Sequence, residues 1–295
     1  MVSACRLYNL RLGESDQGAG YLPFSIGSVI LWAMQPILFQ WGNLSIGSYA
    51  ALLNLGLIAA VVIVWLDTRR SDIRLAIWLD AVLAAMVLGV IGARLGYAAI
   101  NAAYFQDHVG EIFRIWEGGL FWPAGLIGGS LGAWLITRLH HDRSPLRVLD
   151  RLAVGAPLGI ALGWIGCYLS SAAYGREMFP GEPLFFLSID APDLYGLTNP
   201  RWPSQLLGAL WALLVFILLW LTRNRDWPTG RRFWLFIAAY SFGSLLVGFT
   251  RADDMPLAFG WRLDQILDGV LTIAGVIGLL VTRRKAIRPA ADQRP

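Results

Sequence analysis

Three arginines, Arg176, Arg201 and Arg251, fall near the ends of long apolar runs, and a fourth, Arg94, falls inside one. Guanidinium stays charged in any surroundings and binds phosphate oxygens as a planar fork. Charge at membrane depth also defaults to a functional reading. Gathered at one depth, such arginines would hold an anionic phosphate. Taken singly, each has a blander reading as a side chain that snorkels to headgroups; for the group, phosphate binding is preferred. Asp80 shares the second run with Arg94, and Asp264 and Asp268 open the last one. Two further stretches stand out. "GWIGCYLSSAAYGRE" (residues 163–177) places small and polar residues where a helix runs out into a loop. "EGGLFWPAGLIGGSLGAW" (residues 117–134) holds six glycines. Their spacing lets helices approach closely, or opens a helix whose free N–H groups face a cavity.

These residues need elements to position them. The chain of 295 residues is 56% hydrophobic and 15% charged, against about 25% charged in soluble domains. The apolar residues come in runs of roughly 20, the length that crosses a hydrocarbon core as a helix. The expected fold is therefore all-α and polytopic, with seven spans at 46–66, 79–101, 118–136, 152–171, 205–221, 233–250 and 263–281. Residues 1–45 form an N-terminal segment, with an apolar arm over 22–41 in the membrane interface. Residues 46–282 are the membrane domain and 283–295 a basic tail. The polar "GESDQGAG" occupies the place of a signal-peptide apolar region, so no cleaved signal is expected.

The loops after the first, third and fifth spans, with the tail, carry sixteen Lys and Arg; the opposite loops carry five. The positive-inside rule places the first set, and the C-terminus, in the cytoplasm and the N-terminus outside. The net charge of +4 reflects this topology, and its scatter over four segments argues against nucleic-acid binding. Cys5 and Cys167 make no disulfide framework. His108, His140 and His141 all lie in loops, so no metal or other cofactor is expected.

"PILFQWGNLSIGSYAALLNLG" (36–56), "ARLGY" (93–97), "IFRIWEGGLFWPAGLIGG" (112–129), the 163–177 stretch, "RWPSQLL" (201–207) and "AYSFGSLLVGFTRADD" (239–254) follow one another along the chain. In these motifs and their order the chain resembles the prolipoprotein diacylglyceryl transferase family. The resemblance implies seven spans in a bacterial cytoplasmic (inner) membrane. It also implies transfer of a diacylglyceryl group from phosphatidylglycerol to the cysteine thiol of a lipoprotein precursor. The partners would be that lipid, that precursor peptide and the surrounding membrane lipids. Carried over from the family pattern are Tyr49, Arg94, Glu117, Gly118, Gly119, Gly175, Arg201, Pro203, Ser204, Gln205, Arg251, Asp254 and Gln265. Gly163, Ile165, Gly166 and Arg176 fit the signature around Gly175.

The departures are equally specific. Trp164 and Ser244 stand where the family has arginine, Cys167 where it has asparagine, Ala172 and Gly248 where it has glutamate, and Pro123 where it has histidine. Thiol transfer needs a thiolate, a base to form it, and cations for the departing phosphate. Tyr49 or Glu117 could replace the base, and Arg94, Arg176 and Arg251 the clamp. Three readings stay open: an active transferase with a rearranged site, a degenerate homologue that binds phospholipid or lipoprotein precursor, and an unrelated transporter. The last would show repeated halves, and no convincing repeat is visible.

Overall fold

A computed structural model describes residues 37–41, 44–68, 75–115, 119–140, 145–193 and 195–291. Seven long helices dominate these residues. They are α1 (Ser48–Thr68), α2 (Leu75–Ile100), α3 (Trp122–Leu139), α4 (Pro145–Leu169), α5 (Ser204–Thr222), α6 (Arg231–Gly248) and α7 (Leu263–Ala291). Five of them, α1, α2, α4, α5 and α7, are long and apolar enough to cross a membrane. Helices α3 and α6 have 18 residues each. Glycines, Ser130, Thr137 and Arg138 dilute the apolar content of α3; Arg231, Arg232, Tyr240, Ser241 and Ser244 dilute that of α6. Helix α6 is largely interior, burying Phe233, Phe236, Ile237, Tyr240 and Ser241.

Small residues set the pairing. Helix α1 packs on α4, and α2 on α3. A Cβ on Gly56 would lie 2.7 Å from the Gly159 carbonyl oxygen, and one on Gly128 2.3 Å from that of Leu88. Backbone approach this close, without side chains between, is how helices associate where lipid offers no hydrophobic drive. Helix α4 starts earlier than the apolar run suggests, because Pro145 is suited to a first helical position. The added turn brings in Asp150, whose buried carboxylate accepts from the N–H groups of Gly230 (2.6 Å) and Phe233 (2.9 Å) at the start of α6. Losing such a buried acceptor costs about 1–3 kcal/mol. At the same end Arg151 pairs with Asp67 at 2.6 Å, and His140 with Asp80 at 3.0 Å. Asp80 is thereby accounted for as a structural residue.

Three antiparallel hairpins accompany the helices: β1 (Ile37–Trp41) with β2 (Leu44–Gly47), β3 (Ile189–Pro192) with β4 (Thr198–Arg201), and β5 (Leu257–Ala258) with β6 (Trp261–Arg262). The expectation of helix alone therefore needs these additions. The only described residues of the expected arm form strand β1, whose Leu38 and Phe39 are exposed. Between β5 and β6, Phe259 (φ 54°) and Gly260 (φ 80°) are both left-handed, as a two-residue turn matching strand twist requires. In the β3–β4 loop, Asp193 accepts from the N–H groups of Tyr195 (2.8 Å) and Leu197 (3.0 Å).

Candidate functional site

Residues 174–178 form a short extended segment between two other loops. On one side the N–H of Arg176 donates to the Thr250 carbonyl (2.8 Å) and that of Ala252 to Tyr174 (3.0 Å). On the other, the N–H of Trp202 donates to Arg176 (3.0 Å) and that of Met178 to Pro200 (2.8 Å). The segment thus joins the exits of α4 and α6 to the entry of α5. We call this the platform.

Gly175 is central to it. A Cβ there would lie 2.0 Å from the Trp202 carbonyl oxygen and 2.8 Å from Ser204 Oγ. The turn leading to it passes through left-handed Ser171 (φ 54°) and Ala173 (φ 53°), conformations that are uncommon outside glycine. Buried Gln205 holds this turn by donating to the Ala172 carbonyl at 3.0 Å. Buried Ser204 meets Thr250 Oγ1 at 2.7 Å.

The platform brings together Arg176, Arg201 and Arg251, each beside carboxylates. Arg201 is 3% exposed and donates to Glu177 (2.8 Å), Asp193 (3.1 Å) and the Gly175 carbonyl (3.4 Å), with its face over Tyr174. Its buried Nε has no partner. Arg251 makes a fork with Asp253 (2.6 and 2.8 Å) and reaches Asp264 at 3.1 Å. Arg262 contacts the same two aspartates at 3.3 and 3.0 Å. Two arginines and two aspartates thus close a neutral ring. Arg176 is the most accessible of the three; it pairs with Glu182 at 2.9 Å, with 46% of its side chain exposed.

Arg94 also holds a loop. Its Nε donates to Ile112 (2.8 Å), Nη1 to Gly119 (3.2 Å) and Nη2 to Glu111, all backbone carbonyls. It therefore pins the loop between α2 and α3. Gly119 is left-handed (φ 74°), and a Cβ there would lie 2.5 Å from Tyr97. Tyr49 lies in the first turn of α1 and packs on Gly166, where a Cβ would stand 3.3 Å from the Tyr49 backbone. Glu117 and Gly118 lie outside the described residues.

The replaced positions are filled. The buried Trp164 indole donates to the Tyr240 hydroxyl at 3.1 Å, and Arg251 lies 5.7 Å from its ring. Gly208 makes room for it; a Cβ there would be 2.5 Å from the indole. Pro123 is buried at the start of α3. Ser244 is buried beside Asp268, whose buried Oδ1 has no partner among the described residues. The Gln265 side chain lies against Gly248, 2.8 Å from where a Cβ would stand. Nothing in the sequence marks Asp193, Asp253 and Arg262 as partners of the platform arginines. The only hint was the acidic "RADD" beside Arg251, which names no partner.

Burial alone would raise the Asp253 carboxyl, but the adjoining Arg251 and then Arg262 hold it below the ordinary aspartate range. Burial works against the Arg251 charge, and Asp253 reverses that, leaving its pKa raised. Because the folded Asp253 value is depressed, its contribution is complete above the ordinary unfolded value of about 4. It is lost as pH falls through the folded value. Thermal stability should therefore be flat from neutral pH down to the carboxylate range and fall below it. Asp253→Asn should be less stable at neutral pH and show less of that acid-side loss. Scanning calorimetry in detergent at stepped pH checks both; an identical acid-side loss in the variant would contradict the assignment.

Fold and platform define a multi-pass helical membrane protein with an arginine-rich site at one end of its bundle. Residues 36–281 match the family described as prolipoprotein diacylglyceryl transferase. Among similar proteins are the phosphatidylglycerol–prolipoprotein diacylglyceryl transferases of Streptococcus suis and Geobacter sulfurreducens. The first is 32% identical over 87% of this chain and 95% of its own length. The second is 33% identical over 85% and 97%. The namesake from Streptococcus pneumoniae is 33% identical over 85% and 95%. The chain belongs to the prolipoprotein diacylglyceryl transferase family.

Proposed function

We propose that this protein binds phosphatidylglycerol and a lipoprotein-precursor cysteine at the platform and transfers the diacylglyceryl group slowly. A carbon–sulfur bond forms to the cysteine, the carbon–oxygen bond to phosphate breaks, and glycerol phosphate leaves with the electron pair; the thiol proton goes to a base. Tyr49 or Glu117 is that base. Arg176, the most exposed of the platform arginines, meets the phosphate first, since an exposed ion pair such as its bond to Glu182 is held by only about 0–1 kcal/mol. Arg251 and Arg201, each neutralised by carboxylates, hold the frame that presents Arg176. The observation that carries this reading is the platform itself, where Gly175 links Arg176, Arg201 and Arg251 in a chain of this family.

One observation favours a second reading, binding without turnover: Trp164 fills an arginine position and is locked there by Tyr240. In both readings the protein spans a bacterial inner membrane seven times, α3 and α6 included, with the platform outside. The basic asymmetry supports this orientation. An engineered Arg294→Cys, with Cys5 and Cys167 changed to serine, should resist membrane-impermeant thiol reagents in intact cells. Labelling from outside would overturn the orientation.

Photoactivatable phosphatidylglycerol in nanodiscs should cross-link to residues 174–178 and 250–262. Arg176→Gln with Arg251→Gln should reduce these adducts about tenfold, the loss of a charge-assisted contact. Adducts unchanged in the double variant would refute the lipid site.

A further inference from the structure

At the end of the bundle opposite the platform, the close of α1, the start of α4 and the α5–α6 connection enclose a cleft of about 420 Å³. Arg151, Arg223, Arg225 and Arg232 line it, against Asp67 and Asp226. Four guanidinium groups thus meet two carboxylates, and Arg151 already takes Asp67 at 2.6 Å. The others lean on backbone. Arg223 donates to the Trp220 carbonyl at 2.9 Å and stacks 3.6 Å over its indole. Arg232 donates to the carbonyls of Arg223 and Arg225. Its buried Nε has no acceptor among the described residues. Arg225 is exposed, and its guanidinium makes no hydrogen bond or ion pair among the described residues.

Carbonyl oxygens satisfy single N–H groups but do not neutralise charge. With the buried Asp150 carboxylate behind Arg232 counted as well, the cleft keeps an excess of one positive charge and has donors on several sides with too few acceptors. A ligand that completes it must be anionic and present several oxygens at once, which a phosphate does and a single carboxylate does less well. Trp220 at the rim sets the cleft at the depth where indoles mark the membrane–water boundary. We infer that this cleft is a second phosphate-binding site, distinct from the platform, that takes the phosphate of an anionic lipid headgroup or free phosphate. It requires no transfer chemistry and does not depend on the proposed activity.

The full-length protein tests this in two arms. In nanodiscs, photoactivatable phosphatidylglycerol should give adducts on residues 220–226 that a phosphatidylcholine analogue does not. In detergent, inorganic phosphate, compared with chloride at equal ionic strength, would raise the melting temperature if the free ion is the ligand. Adducts alone assign a lipid headgroup; a phosphate-dependent shift alone assigns the free ion. Arg225→Gln removes no internal contact, so the fold should survive. It should raise the phosphate or lipid concentration needed for half of whichever effect is seen about tenfold, as expected for one charge-assisted contact. Neither effect, or an effect that Arg225→Gln leaves unchanged, would overturn the assignment. Adducts at 174–178 and 250–262 report on the platform separately, so the two sites can fail independently.

Discussion

Gly175→Ala is expected to pull the platform apart while leaving the helices in place. The new methyl would lie 2.0 Å from the Trp202 carbonyl oxygen. That atom is backbone, fixed by the neighbouring Trp202 N–H bond to Arg176 and by the start of α5. It cannot swing aside as the end of a side chain can. Relief requires separating segment 174–178 from 200–202, which breaks the Trp202–Arg176 and Met178–Pro200 bonds that hold the two together. Overpacking of this kind costs up to about 3 kcal/mol, a factor of about 100 in local opening. Limited proteolysis in the 179–200 loop should accelerate by about that factor, with the helical circular-dichroism signal unchanged. Gly110→Ala is the control, since a Cβ there meets nothing within 4 Å. Equal proteolysis of the two variants would mean that Gly175 has no special place in the frame.

The second large effect is a gain. Pro123→His, Trp164→Arg, Cys167→Asn and Ser244→Arg, made together, should raise transfer by a factor on the order of 100 or more. A positioned base contributes about 10²–10⁴ and a charge-stabilising donor about 10²–10³. The structure gives reasons beyond restoring the family pattern. Removing the indole opens the volume between Tyr240 and Gly208 beside Arg251. An arginine at 244 would arrive next to Asp268, whose buried Oδ1 lacks a partner. Each single change should do little, because groups that act as one unit are not additive. A single substitution that recovers most of the gain would contradict this cooperative picture.

How much could be read in advance follows from the range of each cause. Apolar runs of about 20 residues are local, so the seven long helices were legible, with ends that differ by up to ten residues because helix continues past the apolar run. The start of α4 was missed because Arg147, Asp150 and Arg151 interrupt the apolar run, although Pro145 opens the helix and Asp150 caps another. The hairpins were not seen, since strands of two to five residues in a loop have no periodicity to detect. The arginines were legible as a group, because charge is rare in such a chain. Their carboxylate partners were not: Arg201 meets Glu177 from 24 residues away. For the same reason Arg94 was grouped with the other three, yet its partners are carbonyls of the α2–α3 loop. The family pattern pointed to Trp164, Pro123 and Ser244 as losses. It could not show that Tyr240 and Gly208 fit the indole so closely.

The central claim is that the platform keeps the family's backbone frame while several acting side chains are gone. The most direct test is a transfer assay with labelled phosphatidylglycerol and a lipoprotein-precursor peptide. The purified unmodified protein is run beside the Geobacter sulfurreducens relative at equal concentration. The account predicts a transfer rate at least about 100-fold below the relative's, the deficit expected when Tyr49 or Glu117 stands in for a base tuned to the reaction. Turnover by the unmodified protein at the relative's rate would contradict it.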